Sequence, residues 1–423
     1  MSIIEKDKAH VWHPFTQHQT AGDPLEIVRA EGVYLYDASG KSYIDANSSW
    51  WVNTHGHGHP HIGRAMSEQF KTIDHIVFAG ATHPKAVELA DRITNLLPNH
   101  FQKVFFSDNG STAVEIAIKM VIQYWHNKGS KKSRFLAMHG SYHGDTFGAM
   151  SVGQRGYFNK PFEPFFFDTD YIDFPTNENE EAVLLQAEKM FLSGGFAGLI
   201  VEPLVQGAAG MRMYSSDFLD KLTKLAHDNS VLVIFDEVMT GFGRTGKLFS
   251  MDHCVEKPDL TALSKGLTGG VMALGLTVAS DEIYNAFLAK ETTKALLHGH
   301  SFTANPIACA VACANLDLFE EDKTWNGIRD LGIWNQEFAI ELNKLKIVKN
   351  VRQQGTILAF EVDTDEDSYF SDLKTKAYEY FLSEGVLLRP LGNTIFLNPP
   401  YCISSEEYAV VRNSIRRFLT EQQ

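Results

Sequence analysis

A short apolar run that ends in two carboxylates is the feature of the sequence most suggestive of chemistry. Residues 231–235 have the length and composition of a buried strand, and Asp236 and Glu237 follow directly. In open α/β sheets, ligands bind beyond the carboxyl ends of the strands, so these two acids are expected to face a ligand site. A solvated strand end followed by a turn is the common alternative for any single Asp-Glu pair.

A lysine with small neighbours follows later in the chain. Lys265 comes after an apolar stretch and before the glycine cluster at residues 266–270. Small neighbours let a bulky group approach the amine, and removal of the amine from water lowers its pKa towards that of a nucleophile. Alone, Lys265 would more often be a solvated loop lysine. With a strand-end acid it matches the two anchors of pyridoxal phosphate, a lysine that bonds the cofactor and a carboxylate that pairs with its pyridine nitrogen.

Two further segments offer what that cofactor requires. Gly110 and Ser111 lie where a predicted strand runs into a strongly helical stretch, and free N–H groups at a helix N-terminus favour a phosphate. Plain helix capping explains the same pattern. Tyr142 follows another apolar run, at residues 135–138, and its ring could face a cofactor or be structural.

Two other motifs suggest different chemistry. Residues 241–246 match the dinucleotide fingerprint G-x-G-x-x-G, but five residues separate them from the preceding strand, so we interpret the match as false. A dinucleotide-binding dehydrogenase remains the alternative from another class. Histidines that alternate with glycine and proline favour a loop over a metal site, and we expect no metal. They are His55, His57, His59 and His61.

The composition restricts the partners of the chain. Of its 423 residues, 44% are hydrophobic, and 38 Lys and Arg against 52 Asp and Glu give a net charge of −14. This charge repels nucleic acids and anionic membranes, so neither is expected as a partner. Four cysteines without a C-x-x-C pair, and a charged N-terminus in place of a signal peptide, predict a cytoplasmic location.

Apolar runs and helix-period stretches alternate through the middle of the chain, which predicts a mostly parallel sheet covered by helices. The C-terminal part predicts a smaller α+β unit, with helices near 334–346 and 371–384, a strand at 357–362, a strand pair around 386–398 and a helix from 405. We therefore divide the chain into an N-terminal segment (1–54) that packs on the small domain and active site, a large cofactor-binding domain (55–310) and a small domain (311–423).

Over nearly its whole length, the sequence resembles the class III, fold-type I, pyridoxal-phosphate aminotransferases. The motifs that carry this resemblance are residues 236–246 and Ser264-Lys265-Gly266 at their mutual spacing. Other segments resemble the biotin-synthesis branch of the family, which aminates 8-amino-7-oxononanoate, usually with S-adenosylmethionine as donor. They are residues 10–16, 48–51, 142–145, 205–211 and 298–302.

The resemblance implies a role for each matching residue. Lys265 would bond the cofactor and move the proton, Asp236 would pair with the pyridine nitrogen, and Tyr142 would lie against the ring. Gly110 and Ser111 would bind the phosphate, together with His300 and Ser301 from the other subunit of a homodimer. The small-molecule substrates would contact Phe15, Trp50, Trp51, Tyr142, Asp145, Arg244, Lys265, Gly299, Arg389 and Tyr401, with Arg389 receiving the carboxylate.

Some positions depart from the pattern of the family. Ala208 replaces a glutamate found in many 2-oxoglutarate-dependent members, which argues against an ornithine- or aminobutyrate-type enzyme. Met239 replaces a glutamine, and His300 lies where a proline is often found. Phe15 lacks the hydroxyl found in members matched to S-adenosylmethionine, and relatives that use lysine also have phenylalanine there. Trp50 and Trp51 offer flat apolar area for an adenine, which keeps S-adenosylmethionine as the expected donor. Lysine as donor and another class III ω-aminotransferase activity are the alternatives.

Overall fold

The N-terminal part of the chain forms a helix and a small antiparallel meander. The structure, a computed structural model, describes residues 1–363 and 372–422. The elements of this part are α1 (Ile3–His10), β1 (Ile27–Glu31), β2 (Tyr34–Asp37), β3 (Ser42–Asp45) and the irregular turn α2 (Ser48–Trp51). β2 and β3 form a hairpin, in which the Asp37 carboxylate accepts the N–H groups of Ser39 and Lys41 and so closes the turn.

The middle of the chain alternates strands and helices around a seven-stranded sheet. Its main elements are α3 (Pro60–Thr72), α4 (Pro84–Leu96), β4 (Phe101–Ser107), α5 (Gly110–Asn127), β5 (Arg134–Met138), α6 (Phe147–Val152), β6 (Thr169–Ile172), α7 (Glu180–Leu192), β7 (Phe196–Val201), β8 (Val205–Gln206), β9 (Arg212–Met213), α8 (Ser216–Asp228), β10 (Leu232–Asp236), β11 (Leu260–Leu263), β12 (Gly275–Ser280), α9 (Asp281–Asn285) and α10 (Pro306–Phe319).

The strand order is β4-β12-β11-β10-β7-β5-β6. The neighbours from β11 to β6 are parallel, and β12 runs antiparallel to both β11 and β4. The predicted mostly parallel sheet is confirmed. Both faces of the sheet are covered. Successive residues of one strand belong to two different apolar clusters: Phe135 packs with α5, whereas Leu136 packs on the opposite face.

The C-terminal part is an α+β unit built on a three-stranded antiparallel sheet. Its elements are α11 (Asp322–Leu342), β13 (Val348–Gln354), β14 (Ile357–Val362), α12 (Asp372–Ser383), β15 (Val386–Leu387), β16 (Thr394–Leu397) and α13 (Ser405–Glu421). The predicted helix start at Ser371 lies outside the described residues.

The predicted strand pair around residues 386–398 needs a correction. Both strands exist, but β16 pairs with β14, whereas β15 pairs in parallel with β3 of the N-terminal meander. The pairing joins Val386 to Ile44, which are both buried, so burial of apolar side chains from distant parts of the chain decides it. Among the described residues, no helix is long and apolar enough to cross a bilayer.

Candidate active site

The strand-end acid and the lysine lie at the same edge of the central sheet. Asp236 is the last residue of β10, and its register partner on the parallel strand β11 is Ala262. The chain then reaches Lys265 directly beyond the end of β11. Parallel neighbours place their carboxyl ends together, so the topology brings the carboxylate and the amine to one site.

The Lys265 side chain is held in an unusual environment. Its backbone has a φ of +46°, a left-handed conformation that is uncommon for a long side chain. The amine lies 4.7 Å from the centre of the Trp51 ring, and within the described residues it has no hydrogen-bond or ion-pair partner. Burial lowers the pKa of the amine to about 8, with a further contribution from Arg244, against the opposing effects of Asp236 and Glu202. The amine is therefore poised to act as a nucleophile near neutral pH.

A buried histidine orients the acid. His143 Nδ1 lies 2.7 Å from Asp236 Oδ2, while Asp236 Oδ1 accepts the Val238 N–H at 3.1 Å. His143 Nε2 is buried and has no hydrogen-bond partner among the described residues. A hydrogen bond from the imidazole favours one orientation of the Asp236 carboxylate. In that orientation the carboxylate is a hydrogen-bond acceptor at the carboxyl end of β10. Sequence reasoning assigned His143 no role in the cofactor site, although its position beside Tyr142 was a usable signal.

Glu202 is a second buried acid that sequence reasoning missed. It directly follows β7, as Glu237 follows β10, so a carboxylate after a buried strand was the available signal. Burial raises the pKa of Glu202 to about 7, and Asp236 raises it further, whereas His143 lowers it. The carboxyl accepts the backbone N–H groups of Tyr142 and Gly207, each at 2.9 Å. It thereby fixes the loop that carries Tyr142.

Tyr142 lies in that loop with its ring partly exposed, at 37%. Its hydroxyl donates to Asp145 Oδ2 at 3.0 Å, and burial together with the Asp145 charge raises the pKa of the phenol. The two predicted site residues are thus joined to each other. The charges of Asp236 and Glu202 raise the pKa of the Tyr142 phenol further, which indicates that both carboxylates lie near it.

The N-terminus of α5 lies at the same edge of the sheet, after β4. Asn109 caps it by accepting the Thr112 N–H, and among the described residues the N–H groups of Gly110 and Ser111 have no hydrogen-bond partner. A Cβ at position 110 would lie 2.6 Å from Val238 Cγ1, so only glycine fits there without a shift. Two free N–H groups at the start of an eighteen-residue helix are suited to bind an anion.

Three predicted substrate contacts form an aromatic and cationic group near the N-terminal segment. The Phe15 and Trp50 ring centres are 5.8 Å apart, and Arg389 Cζ lies 5.7 Å from the Trp50 ring. The guanidinium is exposed and has no ion-pair partner among the described residues. The Arg389 backbone N–H donates to Asn47 Oδ1 at 2.7 Å, which ties this residue to the Trp50 segment.

Arg244 and Tyr401 lie deeper than the other predicted contacts. Both are buried, and Arg244 donates to the backbone carbonyls of Pro399 and Asn53. The Tyr401 hydroxyl donates to the Phe242 carbonyl at 2.6 Å, and Arg244 Cζ lies 5.0 Å from the Tyr401 ring. Both side chains therefore bond to the backbone around the site. The positive charge of Arg244 also contributes to the low pKa of Lys265.

Comparison with known proteins identifies the kind of protein to which this site belongs. The family pattern of class III aminotransferases matches residues 16–419. A relative from Synechococcus elongatus named adenosylmethionine-8-amino-7-oxononanoate aminotransferase is 43% identical, covering 97% of this chain and 99% of the relative. The chain belongs to the class III aminotransferase family.

Solved structures of family members agree with this assignment. An adenosylmethionine-8-amino-7-oxononanoate aminotransferase from Methanocaldococcus jannaschii has a TM-score of 0.94 and 35% identity, covering 99% of this chain and 98% of the other. A pyridoxal phosphate-bound amine transaminase from an uncultivated Pseudomonas species has a TM-score of 0.90 and 28% identity, covering 97% of this chain and 98% of the other. The fold is that of the fold-type I transaminases.

The cofactor of class III aminotransferases is pyridoxal phosphate, and the residues present fit it. Three groups meet at one sheet edge: a desolvated amine, a histidine-bound carboxylate and the N–H groups of a helix N-terminus, and within residues 1–363 and 372–422 neither the amine nor these N–H groups have a hydrogen-bond partner. These groups match the aldehyde, the pyridine nitrogen and the phosphate respectively. By contrast, residues 241–246 form turns that lead to no α-helix, so the strand-turn-helix context of a dinucleotide site is missing there.

The structure does not bring together all the predicted cofactor contacts within one chain. Gly299, His300 and Ser301 lie in a loop that follows a short 3-10 turn (Thr292–Lys294). His300 bonds only to Phe302 and Thr303 among the described residues, and neither it nor Ser301 bonds to Gly110 or Ser111.

Proposed function

We propose that this class III aminotransferase transfers the amino group of S-adenosylmethionine to 8-amino-7-oxononanoate, which gives 7,8-diaminononanoate for biotin synthesis. The main observation in support of this proposal is a pair of adjacent tryptophans, each of which contacts a different cationic side chain. Trp51 contacts the Lys265 amine and Trp50 contacts the Arg389 guanidinium. This arrangement suits a long substrate with a reacting carbonyl at one end, a carboxylate at the other and an apolar chain between them.

The acceptor has that shape. In 8-amino-7-oxononanoate an aliphatic chain separates the carboxylate at C1 from the ketone at C7. Arg389 supplies a cation for the carboxylate, and the faces of Phe15 and Trp50 supply flat apolar surface for the chain. The names of full-length relatives support the same acceptor.

Each side chain has a defined role in the proposed reaction. Pyridoxal phosphate supplies the electron sink that makes the amino carbon acidic. Lys265 would hold the cofactor and, once released from it, would accept and return the proton, for which a pKa of about 8 is well matched. Asp236, held by His143, would pair with the pyridine nitrogen. Tyr142 would lie against the ring, and Gly110 and Ser111 would bind the phosphate at the N-terminus of α5.

We infer that the enzyme acts as a homodimer in which the loop carrying Gly299, His300 and Ser301 completes the phosphate site of the other subunit. Leu297 and Phe302 flank this loop and are 73% and 61% exposed, as expected of residues that a second subunit would cover. The domain boundaries at residues 54 and 310 and a cytoplasmic location belong to the same proposal.

The donor decides between the two forms of the proposal. The flat faces of Trp50 and Phe15 suit an adenine and favour S-adenosylmethionine, whereas the absence of a hydroxyl at position 15 leaves lysine as the alternative donor. The purified, cofactor-loaded enzyme is mixed in a single turnover with either donor, and 8-amino-7-oxononanoate is then added. Formation of 7,8-diaminononanoate with S-adenosylmethionine supports the proposal. Product from lysine alone changes the donor, and no product from either donor overturns the proposed acceptor.

A further inference from the structure

The turn that carries the two tryptophans has a strained backbone. Ser48, Ser49 and Trp51 have φ values of +50°, +58° and +62°, although none of them is glycine. Ser49 combines this positive φ with a ψ of −93°, which is non-helical. Such conformations persist only where the surrounding structure determines them.

One buried carboxylate makes several of the contacts that hold this turn. Asp45 is fully buried at the end of β3, and its Oδ1 accepts the Ser49 N–H at 2.7 Å. Its Oδ2 accepts the Ser49 hydroxyl at 2.8 Å and lies 2.9 Å from His57 Nε2. Both carboxylate oxygens of Asp45 therefore accept hydrogen bonds from Ser49 in the strained turn, and one of them also contacts His57.

The hydrogen bonds of Asn53 define the protonation of that histidine. The Asn53 carbonyl Oδ1 accepts the Gly56 N–H at 2.7 Å, so its amide nitrogen is the group that faces His57 Nδ1, at 3.1 Å. Because an amide nitrogen only donates, Nδ1 is the acceptor and Nε2 carries the proton. His57 thus donates to Asp45, and its ring cannot switch roles without losing the bond to Asn53.

The consequence of this conformation is the placement of the two tryptophans. Trp51 turns inward and is 9% exposed, beside the Lys265 amine. Trp50 turns outward and is 45% exposed, beside Arg389. Adjacent residues thereby reach the two cations on which the proposed function rests.

We propose that Asp45 is a positioning residue of the active site: through Ser49 and His57 it holds the turn at residues 48–51 in the conformation that presents Trp51 to Lys265 and Trp50 to Arg389. The proposal rests on the proposed function for its kinetic consequence. Its structural consequence, the placement of the two rings, can be measured without any substrate.

The test is Asp45→Asn in the full-length enzyme labelled with 5-fluorotryptophan. The chain has six tryptophans, and Trp50→Phe and Trp51→Phe identify the two relevant ¹⁹F signals. An asparagine leaves an N–H donor facing the His57 donor, so the turn should relax. We expect the signals of Trp50 and Trp51 to shift, with and without pyridoxal phosphate, while the other four stay in place. The value of kcat/KM for 8-amino-7-oxononanoate should fall about tenfold to a hundredfold, the range for one lost hydrogen bond to a charged group.

Asp37→Asn is the matched control. Asp37 also accepts a serine N–H and a serine hydroxyl, both from Ser39, but it closes the turn between β2 and β3 and, among the described residues, has no hydrogen bond to residues 48–51 or to His57. Asp37→Asn should leave all six signals and the kinetics unchanged. Adding Ser49→Gly to the Asp45→Asn variant should restore both readouts, because glycine adopts positive φ without strain. If Asp45→Asn fails to fold, Ser49→Ala should give a smaller shift of the same two signals.

Several outcomes overturn the positioning role. They are unchanged Trp50 and Trp51 signals in Asp45→Asn, a shift of all six signals, an equal effect of Asp37→Asn, or shifted signals with unchanged kinetics. Failure of the proposed function has a different signature. In that case the wild-type enzyme does not aminate 8-amino-7-oxononanoate, while the ¹⁹F signals still report whether Asp45 places the two rings.

Discussion

Removal of the Arg389 side chain is the sharpest test of the proposed substrate. The guanidinium lies 5.7 Å from the Trp50 ring and has no ion-pair partner among the described residues, so it is available to a substrate carboxylate. A hydrogen bond to a charged group contributes about 1.5–3 kcal/mol, and the exposure of Arg389 places it at the lower end of that range. Arg389→Ala should therefore cost about 1.5–2 kcal/mol of transition-state binding, which is about tenfold to thirtyfold in kcat/KM.

The assay compares two acceptors and two variants. Steady-state kinetics are measured with 8-amino-7-oxononanoate and with its methyl ester, which keeps the chain and the ketone but lacks the charge. The loss should appear with the acid, mainly as a raised KM, and nearly vanish with the ester. Arg29→Ala is the matched control, since Arg29 also lies over an aromatic ring, with its Cζ 3.6 Å from the centre of Tyr36, but it is on β1 and pairs with Glu31. Equal losses for acid and ester would refute the role of Arg389 in carboxylate recognition.

Other predictions concern the cofactor end of the site. Lys265→Ala should abolish turnover, because the change removes the nucleophile. The circular dichroism spectrum and the melting temperature should stay close to those of the wild type, because no core side chain is lost. Residual turnover would refute the role of Lys265. Burial lowers the pKa of Lys265 to about 8, so the amine is mostly protonated below that pH. The rate at which the cofactor-free enzyme bonds pyridoxal phosphate should therefore rise about tenfold from pH 6 to 7 and level off above pH 8. A flat stopped-flow absorbance profile would contradict this. Gly110→Ala should weaken cofactor binding in a fluorescence titration, because the new Cβ would lie 2.6 Å from Val238 Cγ1, and Val238→Ala in the same chain should relieve the defect.

Local pattern was sufficient to predict the parts of the fold that depend on neighbouring residues in the chain. Burial on both faces makes a central strand such as β10 a continuous apolar run, and helix periodicity marks α5 and α8. The position of Asp236 at a strand end follows from the same pattern, since a strand that leaves the core must end in polar residues. The strands β6 and β11 were not predicted, because each has only four residues and β6 is flanked and interrupted by polar residues.

Contacts between distant segments could not be read from any local pattern. His143 meets Asp236 across 93 positions of the chain, and β3 pairs with β15 across more than 300. The order of strands in the sheet decides the first of these pairings, and burial of apolar side chains decides the second. The pKa of Lys265 likewise depends on how much protein surrounds its amine, and the strained turn at residues 48–51 donates hydrogen bonds to Asp45, which His57 contacts, and to the Asn398 carbonyl. Residue types thus indicate which chemistry is available, while long-range packing, which minimises the free energy of the whole chain, sets the distances at which that chemistry can occur.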